Sequence, residues 1–164
     1  MMEDMKIRDS IAEDKKYLIQ WLNDPKILRW FPMCNYREIL DAATIWMSYI
    51  EKNGVFTAVI DNTPVGIANL YVPMYKRLEH QCLFAIIVDE KYRNKGIGSA
   101  LLKELIKQAR ERFHIEMLHL EVYKGNPAIR LYERFGFIQY GIHKRFFKEI
   151  SGEYLDKIMM YKFI

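Results

Sequence analysis

The chain has 164 residues, of which 51% are hydrophobic and 28% charged, a composition typical of one globular domain with a single core. Its formal net charge of +4 is too small to argue for nucleic-acid binding by itself. Cys34 and Cys82 are its two cysteines, so a disulfide framework is excluded and a reducing cytoplasm is favoured. The N-terminus lacks the apolar core of a signal peptide, and no apolar run is long enough to span a bilayer. We therefore expect one cytoplasmic domain over residues 1–164, without membrane contact.

The first half of the chain predicts one strand, two helices and three further strands. Residues 6–9 are expected to form a strand, and Ser10 with Glu13 has the pattern of a capping box for a helix that ends near Leu22. Residues 36–52 carry apolar side chains at helical spacing. Three strand signals follow, at residues 55–60, 65–72 and 81–88.

The second half predicts strand–helix units and a closing hairpin. A ladder of apolar residues at four-residue steps begins at Ile97 and predicts a helix. Residues 117–123 are expected to form a strand, and Asn126 opens a helix that ends before Gly136. Residues 137–147 and 154–163 are expected to pair antiparallel. The predicted fold class is α/β, with a mixed central sheet of about six to seven strands flanked by four helices.

Residues 93–98 read RNKGIG and lie where a predicted strand meets a predicted helix. A helix N-terminus presents unpaired N–H groups, and glycine lets a ligand approach the backbone, so this turn is suited to bind an anion such as phosphate. A P-loop would need its lysine after the second glycine, but here Lys95 precedes Gly96. A dinucleotide fingerprint would need a small residue where Leu101 stands. Both of these phosphate motifs are therefore excluded, although a simple packing turn stays possible.

The RNKGIG segment resembles the acetyl-coenzyme A (acetyl-CoA) motif of the Gcn5-related N-acetyltransferases, the GNAT family. Residues 120–137, LEVYKGNPAIRLYERFGF, look like the second signature of that family, and residues 152–163 are similar to its last strand. Residues 21–31, WLNDPKILRWF, are similar to the branch that includes ribosomal-protein N-terminal acetyltransferases. The resemblance implies a single-domain GNAT fold. It also implies an enzyme that moves the acetyl group of acetyl-CoA directly to a primary amine of a protein N-terminus, amino acid, polyamine or amino sugar.

The same resemblance implies a set of site residues. Tyr132 matches the tyrosine placed near the sulfur, and Glu121 matches a glutamate that serves some relatives as a base. The residues implied to bind acetyl-CoA are Ile86, Ile87, Val88, Arg93, Asn94, Lys95, Gly96, Ile97, Gly98, Ser99 and Asn126. The position of the base in the histone-acetylating branch looks like Cys82 here, which disfavours that branch's mechanism.

Several alternatives stay open at this point. Glu79 and His80 precede the central strand and are second candidates for the base. The aromatic side chains expected either to shape an acceptor pocket or to pack in the core are Trp30, Phe31 and Tyr36. A non-catalytic acyl-CoA-binding module of the same fold is the main alternative to an enzyme. Residues 143–149, HKRFFKE, are the weak basis for a nucleic-acid-associated protein.

The expected partners are coenzyme A and a small or peptide amine, with no nucleic acid. The histidines have no metal-ligand spacing, so no metal is expected. A monomer or a homodimer is expected, since the final hairpin could pair across a dimer.

Overall fold

Seven strands form one mixed sheet at the centre of the protein, in a computed structural model that describes residues 5–164. Residues 1–4, which belong to the expected domain over residues 1–164, lie outside the described residues. The strands are β1 (Met5–Asp9), β2 (Val55–Ile60), β3 (Thr63–Tyr71), β4 (Gln81–Val88), β5 (Met117–Tyr123), β6 (Ile138–Lys148) and β7 (Tyr154–Phe163). Their order in the sheet is β1-β2-β3-β4-β5-β7-β6, and β4–β5 is a parallel pair between antiparallel neighbours. The prediction of a mixed sheet is thus confirmed.

In the part of the chain that the structure describes, five α-helices flank the sheet, one more than the sequence predicts. They are α1 (Lys15–Leu22), α2 (Pro25–Leu28), α3 (Tyr36–Ser48), α4 (Ile97–Glu111) and α5 (Ala128–Arg134). The additional helix α2 has only four residues, too few to show a period in the sequence. Its start is capped by Asp24, whose side chain accepts a hydrogen bond from the Lys26 N–H at 2.9 Å. Among residues 5–164, no helix is long and apolar enough to cross a membrane.

The helices divide between the two faces of the sheet. Helices α1–α3 pack on one face, here called the front, against Val55, Ile67 and Ile87 of strands β2–β4. Helix α4 packs on the back face through Leu101 and Leu105. Burial of apolar side chains on both faces explains why β2 to β4 read as nearly continuous hydrophobic segments.

The predicted capping box of Ser10 and Glu13 is wrong. Helix α1 begins only at Lys15, after a 3₁₀ turn over Ala12–Asp14. The Ser10 hydroxyl instead lies 2.6 Å from the Thr57 hydroxyl, in a buried contact with β2. A partner 47 residues away along the chain thus replaces the local backbone donor that the pattern suggested.

Asp14 instead caps the 3₁₀ turn that precedes α1. Its carboxylate accepts hydrogen bonds from the Ile11 N–H at 3.0 Å, the Thr57 hydroxyl at 2.8 Å and the Arg8 guanidinium at 2.7 Å. Burial by itself would raise the pKa of Asp14, but these hydrogen bonds and the charge of Arg8 outweigh it and hold the pKa below its usual value. The network ties α1 to β1 and β2.

Strands β4 and β5 pair over only part of their length. Gln81–Leu83 of β4 are in register with Met117–His119 of β5, and no pairing follows. Strand β4 stays paired with β3 as far as Val88, while β5 stays paired with β7 as far as Tyr123. The two strands are therefore held by opposite neighbours and diverge, which opens a gap inside the sheet.

Candidate active site

A cleft of about 570 Å³ occupies the gap between β4 and β5. Its back-face lining includes Phe84, Leu120 and Tyr132, which belong to the core under α4 and α5. Its front-face lining includes Phe31 and Glu121. Because residues of both faces line one cleft, two ligands could reach a common point from opposite sides of the sheet.

The start of α4 lies at the back opening of the cleft and has the backbone geometry that suits an anion. Gly96 adopts φ +82°, a left-handed conformation that glycine tolerates, and so turns the chain into the helix. The first intrahelical bond runs from the Ala100 N–H to the Gly96 carbonyl at 3.0 Å. The N–H groups of the first turn, from Ile97 to Ser99, precede that bond and so have no intrahelical acceptor. Together with the helix dipole they favour a phosphate group.

Gly98 leaves room beside these N–H groups. A Cβ at this position would lie 3.3 Å from Leu131 Cδ2 of α5 and 4.0 Å from Val88 Cγ2 of β4. A side chain here would therefore fill the space between the two helices. The missing Cβ and the N–H groups without intrahelical acceptors are the features that a phosphate-binding helix start needs.

Ten of the eleven residues implied to bind acetyl-CoA line the cleft, and Lys95 is the exception. The Lys95 ammonium lies 5.0 Å from the ring centroid of Tyr92, in a cation–π contact. Arg93 lines the cleft, but its guanidinium also lies 3.0 Å from the Glu90 carboxylate. Both positively charged side chains of the motif, Lys95 and Arg93, therefore contact neighbouring residues of the same loop.

Asn126 lines the cleft and also caps α5. Its side-chain oxygen accepts a hydrogen bond from the Ala128 N–H at 2.9 Å. That oxygen is therefore engaged, and the Nδ2 amide group is the part of the side chain available to a ligand.

Tyr132 lies in the cleft wall, where α5 brings it against the back of the sheet. Its ring makes edge contacts with Phe84 at 5.9 Å and with Phe137 at 6.0 Å between centroids. Burial raises the pKa of Tyr132 to about 12, because the phenolate would lose its hydration. The phenol is therefore a fixed, protonated donor at neutral pH.

Glu121 reaches the front of the cleft from β5, next to the point of divergence. It accepts a hydrogen bond from Lys157 Nζ of β7 at 2.9 Å, while its side chain stays 44% exposed. Lys157 was not among the residues predicted for the site. The available signal was a lysine directly before the apolar run IMM in a predicted strand, at a position where a charge is costly without a partner.

The alternative bases do not line the cleft. Glu79 and His80 precede β4, and the His80 carbonyl accepts hydrogen bonds from the Glu116 and Met117 N–H groups at 2.7 and 3.1 Å. Glu79 and His80 thus lie at the closed end of the cleft, where β4 and β5 are paired. Cys82 is fully buried in the back core, and burial raises its pKa to about 12, so its thiol is a poor nucleophile.

Only part of the aromatic group at the front belongs to the cleft. Trp30 and Phe31 line it, with the Phe31 ring 6.3 Å from that of buried Trp46. Tyr36, at the start of α3, is 59% exposed and does not line the cleft. The front opening is therefore bordered by Trp30 and Phe31 on one side and by Glu121 on the other.

Comparison with known proteins agrees with this geometry. The model of the acetyltransferase (GNAT) family matches residues 15–137. The chain is 27% identical to the L-amino acid N-acetyltransferase AaaT of Escherichia coli K12, over 97% of this chain and 98% of that protein. A ribosomal-protein-alanine N-acetyltransferase from Brucella melitensis has the same fold, with a TM-score of 0.80 and 24% identity over 97% of this chain and 99% of that one.

A further structure relates the fold to its ligand. The acetyltransferase yncA of Salmonella typhimurium, solved with acetyl-CoA, superposes with a TM-score of 0.82 at 20% identity, covering 98% of this chain and 94% of that one. With the family match over most of the chain and a cleft suited to coenzyme A, the protein belongs to the GNAT family and is an acetyl-CoA-dependent N-acetyltransferase.

Proposed function

We propose that the protein transfers an acetyl group from acetyl-CoA to the α-amino group of an amino acid or of a peptide N-terminus. The observation that carries this proposal is the cleft through the sheet, with an anion site behind it and a carboxylate in front. The names of two similar proteins support the acceptor class, since an L-amino acid and an N-terminal alanine both carry an α-amine.

The cleft residues divide between binding and chemistry. The N–H groups at the start of α4 hold the pyrophosphate, and the diverging edge of β4 from Ile86 to Val88 offers backbone groups to the pantetheine arm. When bound, acetyl-CoA supplies a thioester whose carbonyl carbon an uncharged amine can attack. Asn126 orients the arm through its Nδ2 group.

Proton movement is assigned to Glu121 and Tyr132. Glu121 removes a proton from the amine, directly or through water, because an ammonium has no lone pair for attack. Tyr132 donates the proton that the departing sulfur needs, and its raised pKa, about 12, keeps that proton available at neutral pH. One proton is taken up at the front of the cleft and one is delivered at the back, so the transfer is balanced.

A thiol-release assay with acetyl-CoA and a small amine panel tests the function. The panel contains L-leucine, trialanine, spermidine and glucosamine, one amine for each acceptor class that the sequence left open. We expect turnover with L-leucine or trialanine at a kcat/KM at least tenfold above the other two, roughly 1.4 kcal/mol of preference. Preferred turnover of spermidine or glucosamine would contradict the acceptor class, and no turnover with any amine would contradict the activity.

Gly98→Val tests the proposed cofactor site. The added side chain would fill the space beside Leu131 and Val88, so we expect coenzyme A to bind at least about tenfold more weakly, or about 1.4 kcal/mol. The measurement is isothermal titration calorimetry with coenzyme A. Ala100→Val is the matched control, because it adds two methyl groups on the same helix at a residue that does not line the cleft. Equal affinity of Gly98→Val and the unmodified protein would contradict the phosphate site.

A further inference from the structure

Lys157 of β7 is a lysine that the fold buries, with 8% of its surface exposed. Its ammonium donates to Glu121 Oε2 at 2.9 Å and lies 3.8 Å from the ring centroid of Phe146. A buried lysine is rare unless it is paired, and desolvation strengthens both an ion pair and a cation–π contact. The ammonium is therefore held in one place from two sides.

A bulge in β6 places Phe146 over this ammonium. The register between β6 and β7 shifts between His143 and Phe147, and Arg145 inside this segment has φ +52°. Asp156 holds the bulge, because its carboxylate accepts hydrogen bonds from the Arg145 N–H at 2.9 Å and from Lys144 Nζ at 3.0 Å. Bulges redirect side chains and are frequent beside active sites.

The Glu121–Lys157 pair spans two strands diagonally. Glu121 is in register with Met159, and Lys157 with Tyr123, so only extended side chains bring the two charges together. The pair fixes the carboxylate through Oε2, while Oε1 accepts no hydrogen bond from any residue in the described range 5–164. Glu121 lines the cleft and is 44% exposed there, which leaves one oxygen free for a ligand.

We propose that Lys157 is a positioning residue for acetyl transfer, which holds Glu121 so that its free carboxylate oxygen meets the acceptor amine. The inference rests on the proposed function, because it needs Glu121 to act on the amine. Lys157 itself does not line the cleft, so its effect must pass through Glu121. An unrestrained glutamate on this exposed edge would sample several rotamers, of which few would point an oxygen at the amine.

A double-mutant cycle over Lys157→Met and Glu121→Gln tests this dependence. The readout is kcat/KM for L-leucine and for trialanine, together with KM for acetyl-CoA. We expect Lys157→Met alone to lower the acceptor kcat/KM roughly tenfold, the scale of one lost hydrogen bond to a charged group, and to leave the acetyl-CoA KM unchanged. In the Glu121→Gln background the same substitution should cost less than about twofold, because the carboxylate that it orients is already gone.

Lys162→Met is the matched control, since it removes the same charge from the opposite face of β7, where Lys162 is in register with Leu118. Lys162→Met should leave kcat/KM for both acceptors and KM for acetyl-CoA unchanged. If Lys157→Met has no effect on the acceptor, or lowers kcat/KM equally in both backgrounds, Lys157 does not act through Glu121 and the inference is overturned. Failure of the proposed function looks different: the unmodified protein would then turn over neither L-leucine nor trialanine.

Discussion

Tyr132→Phe is expected to lower kcat by a factor on the order of 100, the typical contribution of a positioned general acid. The substitution removes only the hydroxyl, and the ring contacts with Phe84 and Phe137 are preserved. Coenzyme A affinity and thermal stability should therefore stay nearly unchanged. The measurements are kcat by thiol release and coenzyme A affinity by calorimetry.

The matched control for this variant is Tyr71→Phe. Burial raises the pKa of Tyr71 to about 12 as well, but its ring packs edge-to-face against Tyr49 and does not line the cleft. The Tyr71→Phe variant should therefore have the same kcat as the unmodified protein. Because burial raises the pKa of Tyr132 to about 12, the unmodified enzyme should also show no loss of rate from phenol ionisation up to about pH 10. Equal kcat for Tyr132→Phe and the unmodified protein would mean that the leaving sulfur takes its proton from another donor.

Glu121→Gln is expected to lower kcat/KM by about 100-fold at neutral pH, and most strongly at the acidic end of the pH profile. The amide cannot take a proton from the acceptor, so the variant depends on the fraction of amine that is already uncharged in solution. That fraction rises with pH, and the difference from the unmodified enzyme should shrink accordingly. The check is kcat/KM for trialanine from about pH 6 to pH 9, a range centred near the usual α-amine pKa of about 8.

Glu79→Gln is the control for the second variant. Glu79 precedes β4 at the closed end of the cleft and does not line it. Its replacement by glutamine should therefore leave the pH profile of kcat/KM unchanged. If Glu121→Gln has the same pH profile as the unmodified enzyme, the amine loses its proton without this carboxylate. The positioning role proposed for Lys157 would then be wrong as well, because it depends on Glu121.

The local elements could be predicted from the sequence because their signals are local. Short apolar segments bounded by turn residues place β2, β4, β5 and β7 at the bounds that the structure has, since one or both faces of each strand are buried. Gly136 after α5 has φ +82°, as expected of a glycine that ends a helix. The suitability of the start of α4 for an anion could also be predicted, because it depends only on backbone N–H groups. Glycine spacing and a predicted helix N-terminus are enough to recognise it in the sequence.

The direction of a side chain could not be predicted from the same pattern. Lys95 and Arg93 look equivalent in the glycine motif, yet Lys95 lies over Tyr92 and only Arg93 lines the cleft. The Ser10 pattern matches a capping box, but the hydroxyl finds a better buried partner in Thr57. For Ser10 a tertiary contact competes with the local one, and burial makes the tertiary contact stronger. For Lys95 the competing partner is a ring three residues earlier in the same loop.

The sequence by itself determined the order of the elements, the glycine turn and the presence of Tyr132 and Glu121. Only the tertiary structure decided that β4 and β5 part after Leu83, because strand pairing on either side of the gap depends on β3 and β7. It also decided that Glu121 meets Lys157, a residue 36 positions later in the chain. Such contacts depend on strand register and on a bulge, which are set by the packing of the whole sheet and not by any short segment.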